Sequence, residues 1–223
     1  DLNAGMFAAY GILSAYIHKL KTGEGQDIDT SLLEAGIAYT VWESAELWGT
    51  GMTPEPKGSA HRLVAPYQAI AASDGYFNIA VANQATWERL CAALDREDLV
   101  DDPRFMTNPD RITHYQELAV TIEATTIERT RAEWIDLLGS AGVPSGPIYN
   151  MSEVFEDPQV NAREMLIELE HPIAGTVKHI GVPVKLSATP GGIRYPAPTL
   201  GQHSIETFER FGFSSKEITA LAL

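Results

Sequence analysis

The feature that most constrains this chain is the helical pattern with which it begins. Apolar residues recur at alternating steps of four and three: Leu2, Met6, Ala9, Leu13, Tyr16 and Leu20. This spacing places them on one face of a helix. Lys19 and Lys21 suit the C-terminal end of that helix, and Gly23 suits the position just beyond it. Asp1 precedes the first turn, where an aspartate commonly accepts backbone N–H bonds as an N-cap.

Downstream of this helix, helical and strand patterns mix without a regular βαβ rhythm. Gln26 to Asp29 is typical of a short strand, and the Ser31–Glu34 capping box predicts a helix that runs to about Trp48. Two β-prone runs between residues 66 and 82 predict a hairpin that turns at 73–75. Further predictions are helices at 87–94 (capped by Thr86), 115–123, 130–139, 152–156, 158–164 and 204–211, a short final helix, a rigid turn at 143–147 and β-character at 171–186. The mixture predicts an α+β fold.

Charge and cysteine content narrow the possible partners. The 223 residues carry a formal net charge of −14, which argues against nucleic acid and anionic membrane surfaces as partners. No apolar stretch reaches the length of a membrane-spanning helix. Cys91 is the only cysteine and lies in an apolar helical pattern, so we expect it to be buried. Because a single cysteine forms no internal disulfide, the sequence fits a reducing, cytoplasmic location. The six histidines show no metal-ligand spacing, and we predict no metal site.

Several short motifs occur in a fixed order along nearly the whole chain. They are Asp1 with Gly23-Glu-Gly-Gln26, Ala65-Pro-Tyr-Gln-Ala69 with Ser73-Asp-Gly-Tyr76, Ala141-Gly-Val-Pro-Ser-Gly-Pro147, Asp157-Pro158 with Arg163, Ala197-Pro-Thr-Leu-Gly-Gln-His203, and Phe211-Gly-Phe213 to Ile218. In this order the chain resembles the family III CoA-transferases, of the CaiB/BaiF type, from the nucleophile aspartate onward. An N-terminal half would then lie upstream of Asp1.

The resemblance implies an α/β family fold, in which members are interlocked dimers with a large Rossmann-like domain and a small α+β domain. The Gly- and Pro-rich stretches near 49–65 and 185–200 are compatible with linkers between two such domains. We therefore predict a large-domain segment at 1–50, a linker at 51–65, a small domain at 66–185, and a linker with a C-terminal return to the large domain at 186–223.

The resemblance also implies a reaction: CoA moves from an acyl-CoA to a free carboxylic acid through aspartyl anhydride and aspartyl-CoA intermediates. Asp1 matches the nucleophile. Leu32 stands where family members contact the CoA chain, although burial in a helix core is the preferred interpretation of a leucine. Gly58 and His61 lie in the family's Gly-bearing loop near the acyl group, although such a loop is commonly a solvated connection. CoA is expected as a substrate with no permanent cofactor. The expected partners are a second copy in a homodimer or the missing N-terminal half.

Two other functions stay open. α-Methylacyl-CoA racemases look alike over much of this region, but they need a glutamate after the strand that follows Asp74-Gly75. Here that strand is followed by Ala82, Asn83 and Gln84, and an amide does not exchange protons near neutral pH, so CoA transfer is favoured. Alternatively, the chain is an inactive or partner-dependent fragment, because terminal residues are seldom held firmly enough for catalysis.

Overall fold

Three helices and a long loop make up the first 65 residues. In the computed structural model, which describes residues 1–221, the helices are α1 (Leu2–Thr22), α2 (Leu32–Ala38) and α3 (Val41–Thr50). The chain divides into two compact units: Asp1–Ala65, termed the N-terminal unit, and a C-terminal unit that begins at Pro66. The last two residues of the predicted tail, 222 and 223, lie outside the described residues. The mixed α+β character is confirmed.

Helix α1 confirms the helix that the apolar spacing from Leu2 to Leu20 predicted. Gly23 follows it with a φ of 82°, a left-handed conformation that favours glycine, and its N–H donates to the carbonyl of Lys19 at 2.8 Å. This bond satisfies one of the carbonyls that a helix leaves without a partner at its C-terminal end.

Two predictions for the next segment were wrong. Residues 26–29 are not a strand, because no other strand among residues 1–221 lies beside them to form a ladder. The helix predicted to run from 31 to 48 is broken at Tyr39 and Thr40. There, tight bonds from Tyr39 N to Gly36 O (3.2 Å) and from Thr40 N to Ile37 O (3.0 Å) replace the α-helical pattern. The Thr40 hydroxyl also donates to Ile37 O at 2.9 Å, so this side chain stabilises the end of α2.

A three-stranded antiparallel sheet opens the C-terminal unit. The predicted hairpin is confirmed as β1 (Tyr67–Ala72) and β2 (Gly75–Ala80), with Tyr67 opposite Ala80 and Ala72 opposite Gly75. The stretch predicted as a rigid turn contains a third strand, β3 (Ser145–Pro147), which pairs with β2. Local sequence did not show this strand, because its pairing partner lies far earlier in the chain.

Helices and a second, two-stranded antiparallel sheet complete the C-terminal unit. The helices are α4 (Gln84–Ala93), α5 (Asn108–Thr113), α6 (Tyr115–Thr126), α7 (Arg131–Ser140), α8 (Met151–Glu156), α9 (Pro158–Ala162), α10 (Ser204–Arg210) and α11 (Ser215–Ala220), with a 3₁₀ turn at Glu97–Leu99 and the strand pair β4 (Leu166–His171) and β5 (Gly175–Ile180). Thr130 caps α7 in a capping box with Glu133. Helix α4 is capped by Asn83 rather than by Thr86, whose hydroxyl donates to the Asn83 side chain instead. None of these helices, nor α1 to α3, is long and apolar enough to cross a membrane over residues 1–221.

The core of the C-terminal unit lies between the first sheet and helices α4, α6 and α7. Its largest buried apolar side chains include Phe77, Trp87, Phe105 and Trp134. The indole Nε1 of Trp134 donates to the carbonyl of Thr126 at 2.7 Å, which joins α7 to the end of α6. Cys91 is buried as predicted, and burial raises the pKa of its thiol to about 12.

Candidate functional site

Asp1 lies at the start of α1 and is exposed. Its backbone carbonyl accepts the first intrahelical bond, from Gly5 N at 2.9 Å, but its side chain forms no capping bond. The expectation of a side-chain N-cap was therefore wrong. The Asp1 carboxylate accepts no hydrogen bond from the first turn of α1, and no other acidic residue stands in that turn. The side chain lies at the positive end of the helix dipole.

Leu32 is the first residue of α2, a helix that packs against α1. Its preferred interpretation as a core residue was wrong, since 61% of Leu32 is exposed. Ser31 caps the helix by accepting from Glu34 N at 3.1 Å, and its hydroxyl donates to the Glu34 carboxylate at 2.7 Å. The cap holds the start of α2 in place, so the exposed leucine projects from an ordered position.

Gly58 lies in the loop 51–65 with a φ of 62°, a left-handed backbone conformation. A bond from Ala60 N to Lys57 O, at 3.1 Å, closes the turn around it. A Cβ added at Gly58 would meet no heavy atom within 4 Å, so the backbone conformation, and not the available space, favours glycine here.

His61 is half-buried in the same loop. Its ring meets the ring of Trp42 edge to face, with centroids 5.9 Å apart. The backbone N–H of Leu63 donates to His61 Nδ1 at 3.1 Å. Because that nitrogen accepts, a neutral His61 carries its proton on Nε2, which makes Nε2 a hydrogen-bond donor.

All four predicted site residues therefore belong to the N-terminal unit. Asp1 and Leu32 begin two helices that pack together, while Gly58 and His61 share one loop that contacts α3 through Trp42.

A pocket of about 290 Å³ lies between α1 and α2 and was not predicted. Its lining combines aromatic rings, small residues and two carboxylates: Phe7, Tyr10, Asp29, Thr30, Glu34, Ala35 and Ala38. The rings of Phe7 and Tyr39 meet edge to face at 6.0 Å, close to this pocket's α1 wall. The i, i+1 and i+4 spacing of the α2 lining residues was the available sequence signal, but without the partner helix it did not indicate a pocket.

Arg62 is the second feature that sequence reasoning missed. Its guanidinium donates to the carboxylates of Glu43 and Glu46 on α3 and to the backbone carbonyl of Glu55, with each distance 3.0 Å. A hydrogen bond from the backbone of Glu43 itself, together with the Arg62 guanidinium, holds the pKa of the Glu43 carboxyl below its usual range. Two glutamates three residues apart on one helix were visible in the sequence, but nothing local linked them to Arg62.

The residues at the racemase position have structural roles. Asn83 Oδ1 accepts from Thr86 N at 2.9 Å as the cap of α4, and Gln84 Oε1 accepts from the buried Arg111 at 3.2 Å. Among residues 1–221, no three His, Cys, Asp or Glu side chains are grouped so that they would hold a metal ion.

Comparison with known proteins gives a consistent result. The model of CoA-transferase family III matches residues 1–204. An acyl-CoA transferase of Fusarium pseudograminearum is 37% identical over 220 residues, which is 98% of this chain and 48% of that protein. Human succinyl-CoA:glutarate CoA-transferase is 33% identical over 204 residues, which is 92% of this chain and 47% of that protein. A crystal structure of a CaiB/BaiF family protein from Brucella suis superposes with a TM-score of 0.78 at 31% identity, covering 93% of this chain and 54% of that one. The chain thus spans about half the length of the relatives it matches.

Proposed function

We propose that this chain, which belongs to CoA-transferase family III, carries the aspartate nucleophile for CoA transfer from an acyl-CoA to a free carboxylic acid. The observation that carries the proposal is the position of Asp1. It lies within the family match, at the start of α1, and has a side chain that is not used as a cap. An ionised carboxylate in this position has the reactivity that covalent catalysis needs.

The proposed reaction balances without ATP or a metal ion. The Asp1 carboxylate attacks the thioester carbonyl and the C–S bond breaks. This step releases CoA as the thiolate and leaves a mixed anhydride between Asp1 and the donor acid. The thiolate then attacks the aspartyl carbonyl, which releases the donor acid and leaves an aspartyl-CoA thioester. The acceptor carboxylate attacks that thioester and expels the thiolate, which gives a second mixed anhydride, between Asp1 and the acceptor acid. Attack of the thiolate on the acceptor's acyl carbon gives the new acyl-CoA and restores Asp1.

We assign supporting roles to the other three residues. A donor at His61 Nε2 suits an oxygen that gains negative charge as the carbonyl is attacked. The exposed side chain of Leu32 offers an apolar contact for the CoA chain or the acyl group. The left-handed turn at Gly58 favours a residue without a Cβ, so this point of the loop would offer the substrate only backbone.

The N-terminal unit needs further polypeptide to perform this reaction. It contains only four basic residues (Lys19, Lys21, Lys57 and Arg62), and Arg62 is already bound to two carboxylates. CoA carries several phosphate charges, so we infer that most of its cationic contacts come from sequence equivalent to the half of the relatives that this chain does not match.

That extra sequence would complete a large Rossmann-like domain containing residues 1–50 and the tail from 186, with 51–65 as linker and 66–185 as the small domain. We propose an interlocked homodimer for the complete enzyme and, from its single buried cysteine, a cytoplasmic location.

Trapping the covalent intermediate tests this function. The enzyme that contains this chain is mixed with succinyl-CoA and glutarate, the pair named for the human relative, and digested after a quench. A CoA adduct on the peptide that contains Asp1 supports the proposal, and Asp1→Asn, which keeps the side-chain shape, is expected to abolish it. Exchange of an α-proton on the acyl-CoA without any adduct would instead support the racemase reaction.

A further inference from the structure

We infer that Arg62 is a positioning residue, which clasps the loop 51–65 to helix α3 and thereby fixes Gly58 and His61 for catalysis. This inference rests on the proposed function. The clasp is defined by the guanidinium of Arg62 and its three acceptors, namely the carboxylates of Glu43 and Glu46 and the carbonyl of Glu55.

The loop needs such a contact because it has little regular structure of its own. It begins at Gly51, whose φ is 74°, and includes Pro54, Pro56 and Gly58, with no helix or strand between residue 51 and residue 65. Holding a segment of this kind in one conformation costs backbone entropy at each residue. A side chain that bonds helix α3 and the loop backbone at once offsets part of that cost.

The geometry of the clasp is well suited to this role. The Nε and Nη1 atoms of Arg62 each reach a different carboxylate at 3.0 Å, while Nη2 reaches the Glu55 carbonyl at 3.0 Å. The Arg62 side chain is only 18% exposed, so these bonds are partly protected from water. Glu43 and Glu46 would repel each other without a cation between them. A planar fork with fixed donors fits three separate acceptors, whereas a lysine ammonium is a single point charge.

The clasp bears directly on the proposed site because His61 is the neighbouring residue. The His61 ring lies against Trp42, which precedes Glu43 on the same helix. Helix α3 therefore holds this end of the loop through two adjacent loop residues, one charged and one aromatic. If Arg62 is released, we expect the His61 Nε2 donor to sample several positions, and a misplaced donor stabilises the transition state less.

The test compares Arg62→Lys and Arg62→Ala with the unchanged enzyme that contains this chain. Arg96→Lys is the matched control, since Arg96 also makes paired bonds to a carboxylate, at Asp98, but in the C-terminal unit. Amide hydrogen exchange over 51–65 measures the loop, and steady-state kinetics measure CoA transfer. Because bonds to charged groups are lost, we expect loop exchange to rise about tenfold in Arg62→Lys and further in Arg62→Ala.

A positioning role predicts that kcat falls about tenfold in Arg62→Lys while the KM for acyl-CoA stays nearly constant, with Arg96→Lys unchanged in both measurements. Unaltered loop exchange in both Arg62 variants would overturn the clasp. Faster loop exchange with unaltered kcat would overturn its catalytic role. If the unchanged enzyme transfers no CoA, the proposed function fails, and loop exchange alone then decides whether the clasp exists.

Discussion

The two units of this chain differ in what they bury. In the C-terminal unit two tryptophans, two phenylalanines and many aliphatic side chains form a continuous core. In the N-terminal unit the buried apolar residues are Ala15, Ala35 and Ala65, while most of its large apolar side chains are exposed. Burial of apolar surface is the main favourable term in folding. The comparison therefore shows that the unit with the candidate chemistry lacks a core of its own, whereas the other unit has one.

The exposed apolar surface of α1 shows this difference in burial most clearly. Apart from the half-buried Phe7, its large apolar side chains lie on several sides of the helix and are at least half exposed: Leu2, Met6, Tyr10, Ile12, Leu13, Tyr16, Ile17 and Leu20. A helix that is apolar on most sides is typical of a buried position. Since the relatives are about twice as long as this chain, we propose that their additional sequence covers the equivalent helix.

The largest effect is expected from a matched pair of tryptophan substitutions. Trp134→Ala removes a side chain that is 2% exposed and should lower the free energy of unfolding of the C-terminal unit by about 3–5 kcal/mol. Trp48→Ala, in the N-terminal unit, removes a side chain that is 81% exposed and should change the free energy of unfolding of the chain by less than about 0.5 kcal/mol. Urea denaturation of the chain measures both. Equal losses for the two variants would contradict the comparison.

A charge introduced on α1 should affect stability differently in this chain alone and in the complete enzyme. Leu13 is 61% exposed, so Leu13→Lys should change the stability of this chain alone by less than about 0.5 kcal/mol. In the complete enzyme we expect the same change to cost about 2–3 kcal/mol, because the lysine would be buried without a partner. Thermal unfolding of both proteins checks this, with Val120→Lys, an exposed apolar position on α6, as control. If Leu13→Lys leaves the complete enzyme as stable as before, additional sequence does not cover α1.

The smallest effect concerns pH and the C-terminal unit. A backbone hydrogen bond from Arg131, at 2.8 Å, and that residue's guanidinium lower the pKa of Asp74. A carboxyl with a lowered folded-state pKa contributes stability above its unfolded pKa of about 3.9, and this contribution is lost as pH falls through the folded value. The Asp74 side chain is 41% exposed, so solvent screens this contact and we expect a difference of a few tenths of a kcal/mol. Asp74→Asn should reduce the loss of stability between pH 5 and pH 2, as followed by circular dichroism, and a steeper loss would count against this contact.

Sequence alone predicted the features that depend on neighbouring residues. The hairpin of β1 and β2 follows from alternation around a Gly turn, and the helix that begins at Thr130 is confirmed as α7. Strand β3 was missed because it exists only beside β2, and the strand at 26–29 was wrong because no strand pairs with it among the described residues.

The candidate site was predicted unevenly for the same reason. Its residues came from motif order, and the catalytic role of Asp1 stays a prediction. The exposure of Leu32 depends on what surrounds α2, which the local pattern does not contain. The Arg62 clasp joins residues that are 16 and 19 positions apart, beyond the reach of helical periodicity.

Oxygen exchange into Asp1 tests the central claim most directly. The enzyme that contains this chain turns over succinyl-CoA with an acceptor acid whose carboxylate oxygens are ¹⁸O. The protein is then digested, and the mass of the peptide that contains Asp1 is measured by mass spectrometry. In the proposed sequence the acceptor's oxygen stays on the aspartate when the new acyl-CoA leaves, so the peptide should gain about 2 Da per exchanged oxygen. Active turnover that leaves the mass of this peptide unchanged would contradict the assignment of Asp1 as the nucleophile.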